Sequence, residues 1–166
     1  RNRTLFRRAL AESLEERQLL AVDVLASDTF LFEDLGMTPN QGQFTVQLGS
    51  PAAANTLITY ALSGDATGPG NAVTDDYNAQ VNSVDIGKVG TVTVLAGDTS
   101  VFVDIDINDD AFYDGGLESI TLDLSSSSGE PLGVSSATMF IVDNEVAPSV
   151  SISGSPSVTE GTGFSF

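Results

Sequence analysis

The chain has 166 residues, enough for one β-sandwich with flanking segments, and its 23 acidic and 6 basic residues give a net charge of −17. This charge excludes phosphate backbones and anionic membrane surfaces as natural partners and favours multivalent cations. Cysteine and histidine are absent, which removes disulfides and the common zinc sites, and no apolar run is long enough to span a membrane.

Residues 3–20 contain no glycine or proline, and their apolar side chains follow a helical period, which predicts a short amphipathic helix within an N-terminal segment 1–21. Two interpretations remain open for this segment: a solvated helix or linker, and a targeting or export element. The stretch from Leu14 to Leu20 resembles the LEPR-XLL motif of large repetitive bacterial surface proteins, although Glu16 stands where that motif usually has proline.

From residue 22 onward the apolar period changes to two, as in Phe44, Val46 and Leu48, and glycine-rich turns separate the alternating runs. The pattern predicts an all-β fold over residues 22–147, an immunoglobulin-like two-sheet antiparallel sandwich of about seven strands. Residues 22–32 supply one strand that is broken in the middle. Residues 148–166 repeat the opening pattern of the sandwich, which predicts the start of a second, truncated repeat and hence an array.

The acidic residues crowd the predicted strand ends instead of spreading along the strands. Because alternate connections of a sandwich emerge at the same end, the turns around Asp76, Asp110 and Asp143 are expected to meet. Carboxylates that meet repel one another unless a cation joins them, and Ca²⁺ takes six to eight oxygen ligands without needing histidine or cysteine. Turn chemistry and solubility alone also place Asp and Asn at such positions, so a sandwich without metal remains open.

Three short motifs follow one another along the chain: Asp76-Tyr77, the stretch 107–110 and the closing stretch 141–145. This ordered set, within residues 22–146, resembles the Calx-beta domain, a repeat of sodium/calcium exchangers, integrin β4 and many large extracellular proteins. It implies a calcium site at one end of the sandwich. Asp114 lies near the implied ligands in the sequence, and whether it is also a ligand is left open. The implied ligands are Glu33, Asp76, Asp109, Asp110, Glu118, Asp143 and Glu145. Asn108 and Asn144 replace aspartates of the family pattern, which implies fewer or weaker ions.

We therefore expect a calcium-binding structural or adhesive repeat of a large secreted or cell-surface bacterial protein. Its expected partners are calcium ions, neighbouring repeats of the same chain and a ligand of the extracellular matrix or cell surface. The main alternative is a metal-free immunoglobulin-like spacer. A hydrolase that uses Asp109 or Glu118 as its acid is disfavoured, because three tyrosines and no tryptophan leave little aromatic surface for stacking sugars. We expect no catalytic activity.

Overall fold

The computed structural model of the chain describes residues 21–33, 36, 40–69 and 74–154. The helix predicted for residues 3–20 lies outside the described residues, as does the predicted second repeat beyond residue 154. Within the described part there are ten strands and no helix, hence no helix long and apolar enough to cross a membrane. The strands are β1 (Val22–Ala26), β2 (Phe30–Phe32), β3 (Gln41–Leu48), β4 (Thr56–Ser63), β5 (Tyr77–Val81), β6 (Val84–Asp85), β7 (Val89–Val94), β8 (Ser100–Ile107), β9 (Glu118–Ser127) and β10 (Ser136–Val142).

The strands form two sheets of five, in the orders β1-β3-β8-β5-β6 and β2-β10-β9-β4-β7. The predicted two-sheet β-sandwich is confirmed. The prediction of about seven strands is wrong, because the run 22–32 divides between the two sheets and β5 and β6 add a short hairpin. The purely antiparallel arrangement is also wrong, since β2 pairs in parallel with β10.

The core lies between the sheets and consists of the alternate apolar positions of both. Phe44, Val46 and Ile105 come from one sheet and are fully buried against Ile120 and Leu122 of the other. The sheets pack tightly at Gly42, where an added Cβ would lie 2.7 Å from the Met139 sulfur of the other sheet. The apolar residues that alternate in the sequence thus face the core, and the polar residues between them face solvent.

Strand pairing brings five chain segments to one end of the sandwich. In the first sheet, Tyr77 at the start of β5 pairs with Ile107 at the end of β8. In the second sheet, Glu118 at the start of β9 pairs with Ile141 near the end of β10, and β2 ends beside β10, where Phe32 pairs with Val142. The Asp114 N–H donates to Asp143, which joins the segment after β8 to the segment after β10. The segments that precede β5 and β9 and those that follow β2, β8 and β10 therefore share this end.

Candidate metal centre

The predicted site residues all belong to these five segments. Glu33 follows β2, Asp76 precedes β5, and Glu118 begins β9. The loop from β8 to β9 and the segment after β10 carry the others. We call this end of the sandwich the acidic end, defined by Glu33, Asp76, Asp109, Asp110, Asp114, Glu118, Asp143 and Glu145.

Three of these carboxylates converge most closely. One carboxylate oxygen each from Glu33, Asp143 and Glu145 lies within 4.8 Å of the other two. Oxygens that bind one calcium ion at about 2.3 to 2.6 Å can be no more than about 5 Å apart, so this spacing suits a shared ion. Glu33 is only 3% exposed. Its Oε2 atom and the Oε2 atom of Glu145 are buried without a hydrogen-bond partner among the described residues.

Asp143 is held in place by backbone N–H groups. Its Oδ1 accepts a hydrogen bond of 2.6 Å from the Glu145 N–H, and its Oδ2 accepts one of 2.9 Å from the Asp114 N–H. Burial by itself would raise the pKa of Asp143, but these backbone hydrogen bonds outweigh it and lower the pKa. Asp143 therefore provides a fixed negative charge at the centre of the acidic end.

The neighbouring carboxyls respond to that charge and to burial. Burial, followed by the charges of Asp143, Glu145 and other carboxylates of the acidic end, raises the pKa of Glu33 to about 8. Burial and then the hydrogen bond and charge of Asp143 raise the pKa of Glu145. Without a cation, the acidic end thus holds protons at neutral pH that isolated carboxyls would have lost.

A second group of carboxylates lines an adjacent cavity of about 550 Å³. Asp110, Asp114 and Glu118 lie in its wall beside the ring of Phe112. Burial, followed by the hydrogen bond and charge of Asp76, raises the pKa of Glu118 to about 7. The pKa of Asp114 is raised as well, by desolvation first and then by the charges of Asp76, Asp110 and Asp143.

The other predicted residues have more local roles. Asp76 is 3% exposed; its carboxylate accepts a hydrogen bond from the Thr67 N–H, and its carbonyl accepts one from the Asn108 N–H. Asp110 accepts a hydrogen bond from the Phe112 N–H through Oδ1, whereas its Oδ2 is buried without a partner among the described residues. Asp109 is exposed, and its Oδ1 accepts a bond of 3.2 Å from the Asn144 side chain.

Two residues at the acidic end were not among the predicted ligands. Asp75 lines the second cavity. Burial first, and then the charges of Asp76 and Asp75, raise the pKa of Tyr77 to about 12. Thr67 lines the same cavity and donates its N–H to Asp76. The doublet Asp75-Asp76 in the sequence could have indicated Asp75. Nothing in the sequence could have indicated Thr67, because its contact with Asp76 is made by its backbone N–H.

Solved structures with the same fold are known. The apo-form Calx CBD1 domain matches with a TM-score of 0.51 at 17% identity, over 75% of this chain and 98% of that domain. The chain has a Calx-like fold. The calcium binding domain CBD12 of CALX1.1 matches with a TM-score of 0.50 at 19% identity, over 70% of this chain and 41% of that one. CBD12 from CALX1.2 matches with the same TM-score at 18% identity, over 74% of this chain and 45% of that one.

The resemblance to the Calx-beta domain is thereby confirmed at the level of the fold. This chain spans less than half of the two CBD12 chains. No protein-family model matches the sequence, and no curated protein matches it. The LEPR-XLL resemblance falls on residues outside the described part and stays a prediction.

The donor set of the acidic end suits a hard cation of the calcium type. The side chains that converge offer only carboxylate oxygens, and the protein contains no histidine or cysteine. Ca²⁺ accepts irregular sets of six to eight oxygens, whereas Mg²⁺ demands a near-ideal octahedron. The buried oxygens of Glu33, Asp110 and Glu145 that have no partner among the described residues are the atoms that such an ion would satisfy.

Proposed function

We propose that this protein binds Ca²⁺ at the acidic end and acts as a calcium-stabilised structural repeat of a secreted or cell-surface bacterial protein. The observation that carries the proposal is the Glu33 carboxylate. It is almost fully buried, one of its oxygens has no partner among the described residues, and it shares a space 4.8 Å across with Asp143 and Glu145. A buried carboxylate without a partner is strongly destabilising unless it is protonated or bound to a cation.

Glu33, Asp143 and Glu145 would form the centre of the site, and the partnerless oxygen of Asp110 would add to it. The ion supplies two positive charges and a flexible oxygen coordination shell. Asp143 needs no rearrangement for this role, because two backbone N–H groups already orient it. Glu118 and Asp114 line the adjacent cavity, where a second ion or ordered water would relieve their mutual repulsion.

The site also affects the segment that leaves the sandwich after β10. Asp143 and Glu145 lie at the start of this segment. Residues 146–154, which follow them, are themselves exposed to solvent. An ion bound by Glu33 and Glu145 would tie that exit to the end of β2 and restrict its direction. This geometry supports a role in spacing consecutive repeats, in a chain that has no disulfides to stiffen it. Contact with a matrix or cell-surface ligand remains part of the proposal.

Thermal unfolding with calcium and with chelator tests the binding. At a free calcium concentration a hundredfold above the dissociation constant, native-state binding adds about 2.7 kcal/mol, which raises the Tm of a domain of this size by about 10 °C. Asp143→Asn should lose most of that increase, because it removes the fixed charge of the site. The readout is the Tm by circular dichroism in excess CaCl₂ and in EDTA.

Asp123→Asn is the matched control, since Asp123 lies on the outward face of β9, away from the acidic end, and bonds only to Ser63 among the contacts described. It should keep the full response to calcium. An equal Tm in CaCl₂ and EDTA for the unmodified protein would instead favour the metal-free spacer.

A further inference from the structure

The outer face of the first sheet carries two rows of amide and carboxylate side chains that cross the strands. In the first row Gln41 of β3 pairs with Asp106 of β8, which pairs with Asn78 of β5. The second row runs parallel to it, two residues along each strand, and crosses four strands: Gln43, Asp104, Gln80 and Asp85. Amides and carboxylates alternate in both rows.

Hydrogen bonds fix the orientation of these side chains. The Gln41 amide donates to Asp106 over 2.7 Å, and the Gln43 amide donates to Asp104 over 2.7 Å. The Gln80 amide donates to Asp85 over 2.8 Å. Each such bond uses one of an amide's two N–H donors and one of several acceptor positions on a carboxylate. The pairs Gln41–Asp106 and Gln43–Asp104 are therefore preorganised and keep hydrogen-bonding capacity toward solvent.

Five residues of the two rows line a groove of about 470 Å³, with Ser27 at one side: Gln41, Gln43, Gln80, Asp104 and Asp106. Neighbouring strands lie about 4.8 Å apart, so a groove that crosses β3, β8 and β5 extends about 10 Å across the sheet. The volume lies in the range of ligand-binding clefts, and the groove is open to solvent along the face of the sheet. Such a groove fits an extended chain better than a compact molecule. Phe102 lies two residues from Asp104 on the same face of β8 and is 46% exposed.

We propose that this groove binds a neutral polysaccharide. Sugar hydroxyls both donate and accept hydrogen bonds, and alternating amides and carboxylates present both functions in regular order. The exposed Phe102 ring, one outward position further along β8 than Asp104, offers an apolar surface beside that row for the C–H face of a sugar ring. The proposal concerns a different surface from the calcium site and does not rest on it.

The chemistry of the groove disfavours other occupants. Lys88 is the only basic residue after residue 17, so phosphate, sulfate and uronate chains would meet repulsion without a counter-charge. The lining is polar, which gives no surface for an apolar peptide or a lipid chain. A cationic peptide would have to compete with the amide hydrogen bonds that Asp104 and Asp106 already accept.

Affinity electrophoresis tests the proposal on the full 166-residue chain. Native gels would contain dextran, galactomannan or hydroxyethyl cellulose as neutral probes, and alginate as the anionic probe. At least one neutral polysaccharide should retard the protein, in calcium and in EDTA alike, and alginate should not. Asp104→Ala and Gln43→Ala should each weaken the retardation about tenfold, the usual effect of removing a hydrogen bond that involves a charged group.

Asp123→Ala is the matched control, because it removes one outward-facing carboxylate from a strand of the opposite sheet. It should leave the retardation unchanged, and unaltered Tm values would show that all three variants remain folded. The proposal is overturned if no neutral polysaccharide retards the protein, if only alginate does, or if Asp104→Ala is retarded as strongly as the unmodified chain. Retardation that disappears in EDTA would move the binding to the acidic end and also contradict it.

Discussion

Replacing Glu33 by glutamine is expected to stabilise the metal-free protein while removing its response to calcium. Burial and the surrounding carboxylates raise the pKa of Glu33 to about 8 from 4.5, so ionising it in the folded state is unfavourable. Glutamine has nearly the same shape and no charge. In EDTA at pH 8 the variant should therefore gain about 3 kcal/mol in the free energy of unfolding. This value is smaller than the whole shift of the Glu33 pKa would give, because solvent screens the charges around the site.

The pH dependence of stability should have a definite sign. A carboxyl whose pKa is raised on folding binds its proton more tightly in the folded state. The contribution of Glu33 to stability is therefore greatest below its ordinary pKa of 4.5 and is lost as the pH rises through about 8. Urea unfolding in EDTA should show this decline for the unmodified protein and a flatter profile for Glu33→Gln. Asp123→Asn should follow the unmodified protein. A variant less stable than the unmodified protein in EDTA at pH 8 would contradict this account of Glu33.

Calcium affinity should itself depend steeply on pH. Ca²⁺ binds the ionised carboxylate, so below pH 8 it must displace the proton from Glu33. Displacing one proton from a group with this pKa weakens the apparent affinity by roughly fiftyfold between pH 8 and pH 6. Glu118, with its pKa raised to about 7, would steepen the dependence if it also binds the ion.

Isothermal titration calorimetry of calcium at pH 6, 7 and 8 measures this effect. Repeating the titration at pH 7 in buffers with different heats of ionisation counts the protons released, and we expect about one per bound ion. Glu33→Gln should release fewer protons and show weaker binding at pH 8. Equal affinities at pH 6 and pH 8 would mean that the ion does not bind Glu33.

The sandwich was predictable because its core strands alternate strictly. Phe44, Val46 and Leu48 on β3 and Ile120, Leu122 and Leu124 on β9 are buried at every second position, and each run is long enough for the period to be read. The hairpin of β5 and β6 escaped the prediction. Its two-residue turn is Asn82-Ser83, whose positive φ angles of 51° and 62° are those of a tight hairpin turn, but no glycine marks the position.

The parallel pairing of β2 with β10 could not be inferred from the sequence. The run 22–32 looks like one interrupted strand, and its local pattern does not say that Phe30 and Phe32 pair with the last strand while Val22 and Val24 pair with β3. That switch of sheet is what places Glu33 beside Asp143.

The acidic end shows the same division between local and tertiary information. The position of acids at strand ends was visible in the sequence, and the structure brings Asp76, Asp110 and Asp143 to one end, close enough for each to raise the pKa of Glu33. The burial of Glu33, the backbone hydrogen bonds of Asp143 and the exposure of Asp109 depend on how loops pack. The spacing of acidic residues along the chain therefore predicted the cluster, but it did not predict which of its carboxylates are buried and converge.

A crystal structure of the protein grown with CaCl₂ at pH 8, with anomalous data collected at long wavelength, tests the central claim most directly. We expect a calcium ion bound at about 2.3 to 2.6 Å to oxygens of Glu33, Asp143 and Glu145. An acidic end without an ion under these conditions, or calcium bound only elsewhere on the molecule, would contradict the account.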